Sequence, residues 1–338
     1  MKAILPPRLQ PGDTIGVVSP SWNGLGLFPH RLERARRYIE SLGYQLKLAE
    51  HALGDRGYVS GTSEERAADI HAMFADPAVK AIVAAIGGDH SCQLLPLLDF
   101  DLIARNPKIF IGFSDISVLN VAIHQRTGLV TFNGPAILTD FAENPHMPEY
   151  VERYFLRAVA TGESIGAIEP AAEWTEEFLD WSTQADSERP RAMQPSPGWT
   201  WLRGGVAEGR LLGGCLESLQ HLRGSTFWPD WDGAIFFFET AEGAPSPETV
   251  DGILMDYENM GVFERIAALI AGRPYGYTPE QRQQLHQVLL ERTARWNFPV
   301  VAGMDFGHTS PQFTLPLGVR AQVDGERRRF AITEAAVV

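Results

Sequence analysis

Ile109-Phe110-Ile111-Gly112-Phe113-Ser114-Asp115-Ile116 is an apolar run that breaks at a glycine and then turns polar. A buried strand is expected over residues 108–113 and a helix over 115–126, so Ser114 stands where strand gives way to helix. Gly112 lets the chain turn closely, Ser114 is lifted above the strand end, and the amides of the helix N-terminus lie beside its hydroxyl. This is the geometry of a nucleophile elbow, although the second glycine of the usual Gly-x-Ser-x-Gly pattern is missing. The competing reading makes Ser114 a plain helix N-cap.

Outward from this segment the alternation repeats. Residues 14–19 (Thr-Ile-Gly-Val-Val-Ser) form a β-branched strand, residues 30–42 have helical spacing that stops at Gly43, and Ser63 caps a helix running to Phe74. A further strand over 79–86 ends in the turn Gly87-Gly88. Strands alternating with helices predict an α/β fold, with a doubly wound parallel sheet as the N-terminal nucleophile domain, residues 1–165. Residues 166–205 change composition to Trp, Pro, Ser, Gln and acidic residues, and are expected to be a linker with an extended surface loop carrying Trp174, Trp181, Trp199 and Trp201. Beyond it, strands over 233–238, 266–271 and 299–304 alternate with helices over 250–260 and 279–296, predicting a second α/β domain over residues 206–338.

The 338 residues suffice for two domains, and 44% apolar with 21% charged residues is the balance of a globular protein. A formal charge of -13 argues against nucleic acid or an anionic membrane as partner. Neither a secretory leader nor an apolar stretch of about twenty residues is visible, which predicts a cytoplasmic protein without a membrane span. Cys92 and Cys215 form no CxxC and no metal-ligand spacing with histidine; free buried thiols, no metal and no cofactor are expected.

A serine nucleophile needs a base and a group to orient it. His308 follows the apolar strand Val300-Val301-Ala302-Gly303-Met304 in the exit loop Asp305-Phe306-Gly307-His308, and Glu239 ends the strand Ala234-Ile235-Phe236-Phe237-Phe238, where an unpaired carboxylate would be costly. His90 competes as base, and Glu242 is the fallback for the acid. The turn Gly87-Gly88-Asp89-His90 ends its strand at the same rim, since sites of open α/β sheets gather at strand carboxyl ends. The main-chain amides of Gly88 and Asp115 are therefore expected to form an oxyanion hole, with Gly87, Asp89 and His90 against the substrate.

Together, Gly87-Gly88-Asp89-His90-Ser91, Ile111-Gly112-Phe113-Ser114-Asp115, Thr131-Phe132-Asn133-Gly134-Pro135, Gly209-Arg210-Leu211-Leu212-Gly213-Gly214-Cys215-Leu216, Phe238-Glu239 and Gly307-His308 occur in the order found in the serine LD-carboxypeptidases. The resemblance runs from about Leu9 to Gly318. It implies a nucleophile lobe followed by a lobe supplying acid and base, a Ser114–His308–Glu239 triad, and a homodimer. One branch of that family trims the terminal D-alanine from murein tetrapeptide. The other resembles the microcin C self-immunity peptidase and releases the amino acid from an aminoacyl nucleotide. The Trp-rich segment looks like the longer loop of the immunity branch, where Trp181 could stack on a nucleobase; a packed lid or dimer contact is the plainer role for such a tryptophan. Cys215 stands where the family often has Asn, and Thr240 where an acidic residue often follows the glutamate. The expected activity is cleavage of an amide bond beside a free carboxylate in a small peptide or aminoacyl nucleotide. Outside enzymes, the alternative is a catalytically silent binding protein on the same fold.

Overall fold

The computed structural model describes residues 3–338. Five strands, β1 (Thr14–Val18), β2 (Gln45–Leu48), β3 (Val79–Ala84), β4 (Ile109–Ile111) and β5 (Phe132–Asn133), form a parallel sheet in the order β5-β4-β3-β1-β2. The order reverses between β1 and β3, so their loops diverge above the sheet and leave a crevice at the carboxyl ends of the strands. β4 is buried throughout, as its apolar sequence requires.

The helices between these strands carry legible signals. Pro29–Ser41 ends with Gly43 in the left-handed region at φ +86°. Ser63–Ala75 is capped one residue earlier than expected: Thr62 accepts the Glu65 amide while the Glu65 carboxylate accepts the Thr62 amide. Thr62 completes this reciprocal box with Glu65 three residues on, whereas Ser63 already lies inside the helix.

A second sheet of eight strands is parallel at its centre through β10 (Val206–Cys215), β11 (Ala234–Glu239), β12 (Ala268–Gly272) and β13 (Val300–Met304). β9 (Thr200–Arg203) adds antiparallel at one edge. At the other edge β15 (Arg320–Asp324), β16 (Arg329–Ala335) and β6 (Ser164–Ile168) continue the sheet. The sheets also take strands from across the expected domain limits. β6 straddles residue 165 yet belongs to the second sheet, and β14 (Leu315–Pro316) pairs antiparallel with β5 in the first.

The segment expected to be linker and open loop is built into the second half at both ends, while its middle is held on the first by Asp186, which pairs with Arg31 and Arg34. β7 (Glu173–Trp174) pairs with β8 (Gln194–Pro195), and Thr175 exchanges both backbone hydrogen bonds with Ser310 at 2.7 and 2.9 Å. Trp174 is buried beneath the guanidiniums of Arg273 and Arg282, Trp201 lies in β9, and the Trp199 indole donates to Asp305 at 2.7 Å. Three of the four tryptophans thus serve packing, because cation–π and N–H partners lie on elements distant in sequence. Cys215 is buried and Cys92 half-buried, both as free thiols. Among the described residues no helix is long and apolar enough to cross a membrane.

Candidate active site

Ser114 leaves the end of β4 at φ +59°, a left-handed conformation that serine adopts only when its surroundings hold it there. The helix Ile116–Thr127 begins two residues later, and the Asn120 side chain donates to the carbonyls of Gly112 and Phe132 at 2.9 and 3.0 Å, fixing the turn from below. The strained backbone is what separates an elbow from a simple cap. Among the described residues no helix amide donates to the Ser114 hydroxyl, which instead meets His308.

His308 Nε2 lies 3.1 Å from Ser114 Oγ, and His308 Nδ1 lies 2.6 Å from Glu239 Oε2. With the proton on Nδ1 directed to the carboxylate, the Nε2 lone pair faces the serine hydroxyl. Glu239 is the last residue of β11 and 1% exposed. Gly307, at φ +103°, lets the histidine loop lie on it: a β-carbon there would come within 2.6 Å of Glu239 Cβ. The Phe113 ring meets the imidazole edge-on at 5.1 Å and restricts its orientation. The exit loop of β13 is held by the buried Arg273–Asp305 ion pair, 2.6 Å.

Burial disfavours a charged His308, but the Glu239 charge and hydrogen bond outweigh it, with Glu242 and Glu217 adding, so its pKa is pushed up to about 9. Glu242, considered for the acid, is 78% exposed at the side chain and lies 3.9 Å from Nε2, the nitrogen facing Ser114. His90, considered for the base, instead packs its ring on Tyr58 at 4.6 Å.

The loop after β3 closes over the serine. A β-carbon on Gly87 would lie 2.7 Å from Ser114 Cβ, and one on Gly88, at φ +138°, would lie 2.5 Å from Ser21 Oγ. Only glycines allow this approach. Ser21 Oγ accepts the His90 amide at 3.0 Å, and the buried Arg66 donates to the carbonyls of Pro20 at 2.6 Å and His90 at 3.2 Å, pinning both loops of the crevice. The Asp115 side chain accepts the Ser91 amide at 2.8 Å, and Asp115 is fully buried beside the elbow. Asp89 is exposed at the rim.

Ser114, His308, Gly87, Gly88, Asp89 and His90 line one cavity of about 660 Å³, together with Phe28, Arg31, Asp140, Phe178, Trp181 and Gln312. Trp181 is half-buried rather than freely exposed: Arg31 covers one face at 4.2 Å and Phe28 meets it edge-on at 5.4 Å. Arg31 is in turn held by Asp186 at 2.6 Å. Arg31, Asp140 and Gln312 were not legible as site residues, since their segments carry no motif. Gln312 lies four residues beyond His308, and that adjacency was the one available signal.

Comparison with known proteins gives the ancestry of this arrangement. The LD-carboxypeptidase N-terminal domain matches residues 15–134 and the LD-carboxypeptidase C-terminal domain residues 208–323. The chain is 31% identical to the microcin C7 self-immunity protein MccF of Escherichia coli, covering 98% of this chain and 96% of that protein. It is 33% identical to the "Probable murein peptide carboxypeptidase" of Bacillus subtilis, covering 98% and 95%. The solved structure of MccF with aspartyl sulfamoyl adenosine superposes with a TM-score of 0.90 at 30% identity, over 99% of this chain and all of that one (100%). The chain belongs to the LD-carboxypeptidase family of serine hydrolases.

Proposed function

We propose that the protein is a serine amidase that releases the amino acid from a microcin C-type aminoacyl nucleotide, with Ser114 as nucleophile, His308 as general base and Glu239 as the group that orients it. The reading rests on one observation: the continuous chain from Glu239 Oε2 through His308 to Ser114 Oγ, at 2.6 and 3.1 Å. His308 takes the serine proton as Oγ attacks the acyl carbonyl, and the amides of Gly88 and Asp115 receive the oxyanion. The amide bond breaks with the proton passing from His308 to the departing nitrogen. Water, activated by the same imidazole, then cleaves the acyl-enzyme.

Gly87, Asp89 and His90 form the rim on the acyl side, and Trp181, which lines the same cavity between Arg31, Phe28 and Phe178, meets the base. The binding of aspartyl sulfamoyl adenosine by MccF favours this substrate class. Murein tetrapeptide, with release of D-alanine, is the second reading, favoured by the 33% identity to the murein-type relative over nearly the whole chain. The nucleophile lobe gives way to the acid–base lobe near residue 165, with β14 returning to the first sheet, and the enzyme works in the cytoplasm as a homodimer without a cofactor.

Product analysis after incubation with an aminoacyl sulfamoyl adenosine and, separately, with murein tetrapeptide distinguishes the substrates. Ser114→Ala and His308→Ala should each lower turnover by on the order of 10⁴ with the fold intact, and the double variant should be little worse than either. Near-normal turnover by Ser114→Ala would end the proposal.

A further inference from the structure

Cys215 ends β10 beside Glu239, its partner in register at the end of β11, and the chain then enters the short helix Leu216–Leu219. That turn sets Glu217 against the exit of β11, where its Oε1 accepts the Ala241 amide at 3.0 Å, two residues after Glu239. Its Oε2 receives the Cys215 thiol at 3.7 Å, and Cys215 in turn gives its amide to Ser117 Oγ at 2.9 Å. These contacts close a ring. It leaves Ser114 through Ser117, passes Cys215 and Glu217, and returns through Glu239 and His308, the last two links being 2.6 and 3.1 Å. Glu217 lies outside the lining of the cavity, so its place in the ring is not that of a substrate contact.

The charges around the imidazole are one-sided. Against the penalty of burial, the charges of Glu239, Glu242 and Glu217 all raise the proton affinity of His308. Among the described residues none of these three carboxylates is in an ion pair with a lysine or arginine. Glu242 acts from the solvent side, with its side chain 78% exposed, and salt screens it. Glu217 is half-buried, and its carboxyl is held above the usual carboxylate range first by burial and then by the Glu239 charge. The Cys215 thiol and the Tyr277 phenol lie in its field and are both pushed up, so they stay neutral. Glu239 Oε1, in contrast to Oε2, is buried and finds no hydrogen-bond donor among the described residues. A carboxylate tied through one oxygen is aimed by its backbone, and the backbone just beyond it is what Glu217 holds.

We propose that Glu217 is a positioning residue of the triad, bracing the exit of β11 so that Glu239 keeps its aim on His308 and setting a second negative charge behind the imidazole. The inference rests on the serine amidase reading and adds a group to its machinery. His308 becomes an imidazolium as Ser114 attacks, and a fixed charge nearby stabilises that form in the transition state.

Two variants of the full-length enzyme separate the brace from the charge. Glu217→Gln keeps an oxygen for the Ala241 amide and removes the charge; Glu217→Ala removes both. In Glu217→Gln the His308 midpoint, followed by NMR of the imidazole, and the acid limb of kcat/KM should move together to lower pH by about half a pH unit. The movement should persist in about 0.5 M salt, which screens only the exposed Glu242. Glu217→Ala should show the same movement with a further fall in kcat of on the order of tenfold and little change in KM. A glutamate that only supports the fold would leave the His308 midpoint where it is, and that result in Glu217→Gln overturns the inference even if Glu217→Ala fails to fold. Equal kcat for the two variants overturns the brace. If the wild type hydrolyses neither an aminoacyl sulfamoyl adenosine nor murein tetrapeptide, the amidase reading falls, while the NMR titration, which needs no substrate, still decides whether Glu217 acts on His308.

Discussion

Glu239 and His308 form a buried pair in which the proton affinity of the imidazole governs both catalysis and stability, with opposite signs. Neutral His308 is the form that can accept the Ser114 proton, so kcat/KM should rise with pH toward a pKa of about 9. The folded-state pKa lies above the ordinary histidine value of about 6.5, so the stability contributed by the protonated pair is fully present below that value. It is lost as pH rises through about 9. Glu239→Gln removes the charge that outweighs burial. The acid limb of the pH–rate profile should then move to lower pH while kcat falls sharply, and the variant's stability deficit should shrink as pH rises. Profiles of kcat/KM and of Tm from pH 6 to about 10 check both halves. An acid limb in the same place for Glu239→Gln would show that another group controls His308.

At the scale of elements, the segment between β6 and β9 divides into tryptophans that hold the fold and one that reaches the cavity. Trp181 is anchored by Arg31 on one face, so a nucleobase would have to take the other. Trp181→Ala should raise the KM for an aminoacyl nucleotide by roughly tenfold, the equivalent of about 1.4 kcal/mol of lost stacking, with a smaller change in kcat. A murein peptide has no base to stack, and equal losses on both substrates would make Trp181 a packing residue like Trp174. This segment also shows where sequence reading reaches its limit. Ser114, Glu239 and His308 were legible as candidates because each stands at or shortly beyond the end of an apolar strand, where a polar side chain has few other uses. β9 and the β7–β8 pair were illegible because their partners lie far away in sequence. Trp199 gives no sign that its indole will find Asp305, more than a hundred residues later. β15, β16 and β6 were missed for the same reason: an antiparallel edge is defined by its neighbour, and short alternating runs such as Arg320–Asp324 carry little periodicity of their own.

For the molecule as a whole, the site depends on how closely the two sheets are held, since Ser114 comes from the first and its partners from the second. Exchange of β6 and β14 ties the sheets through the chain, but the spacing at the site is set where β10 meets the helix Ile116–Thr127. Gly214 lies at that contact with φ +152°, and a β-carbon on it would fall 2.4 Å from both Cβ and Oγ of Ser117. Ser117, three residues after Ser114, also accepts the Cys215 amide through Oγ at 2.9 Å, joining the lobes with a buried hydrogen bond. Gly214→Ala must push the helix away from β10, and the displacement passes to Ser114 through the rigid helix start. Overpacking of this kind costs about 1–3 kcal/mol of stability, and a misplacement of about 1 Å at the reacting atoms costs on the order of 10²-fold in rate. The expected result is therefore a modest fall in Tm with a disproportionate fall in kcat, measured by calorimetry and steady-state kinetics on the same preparation. Adding Ser117→Gly removes the obstructing atoms, and should recover part of kcat even though glycine weakens a helix interior by about 1 kcal/mol relative to alanine. If Gly214→Ala keeps wild-type kcat, or if Ser117→Gly deepens its defect additively, the spacing of the lobes is set elsewhere.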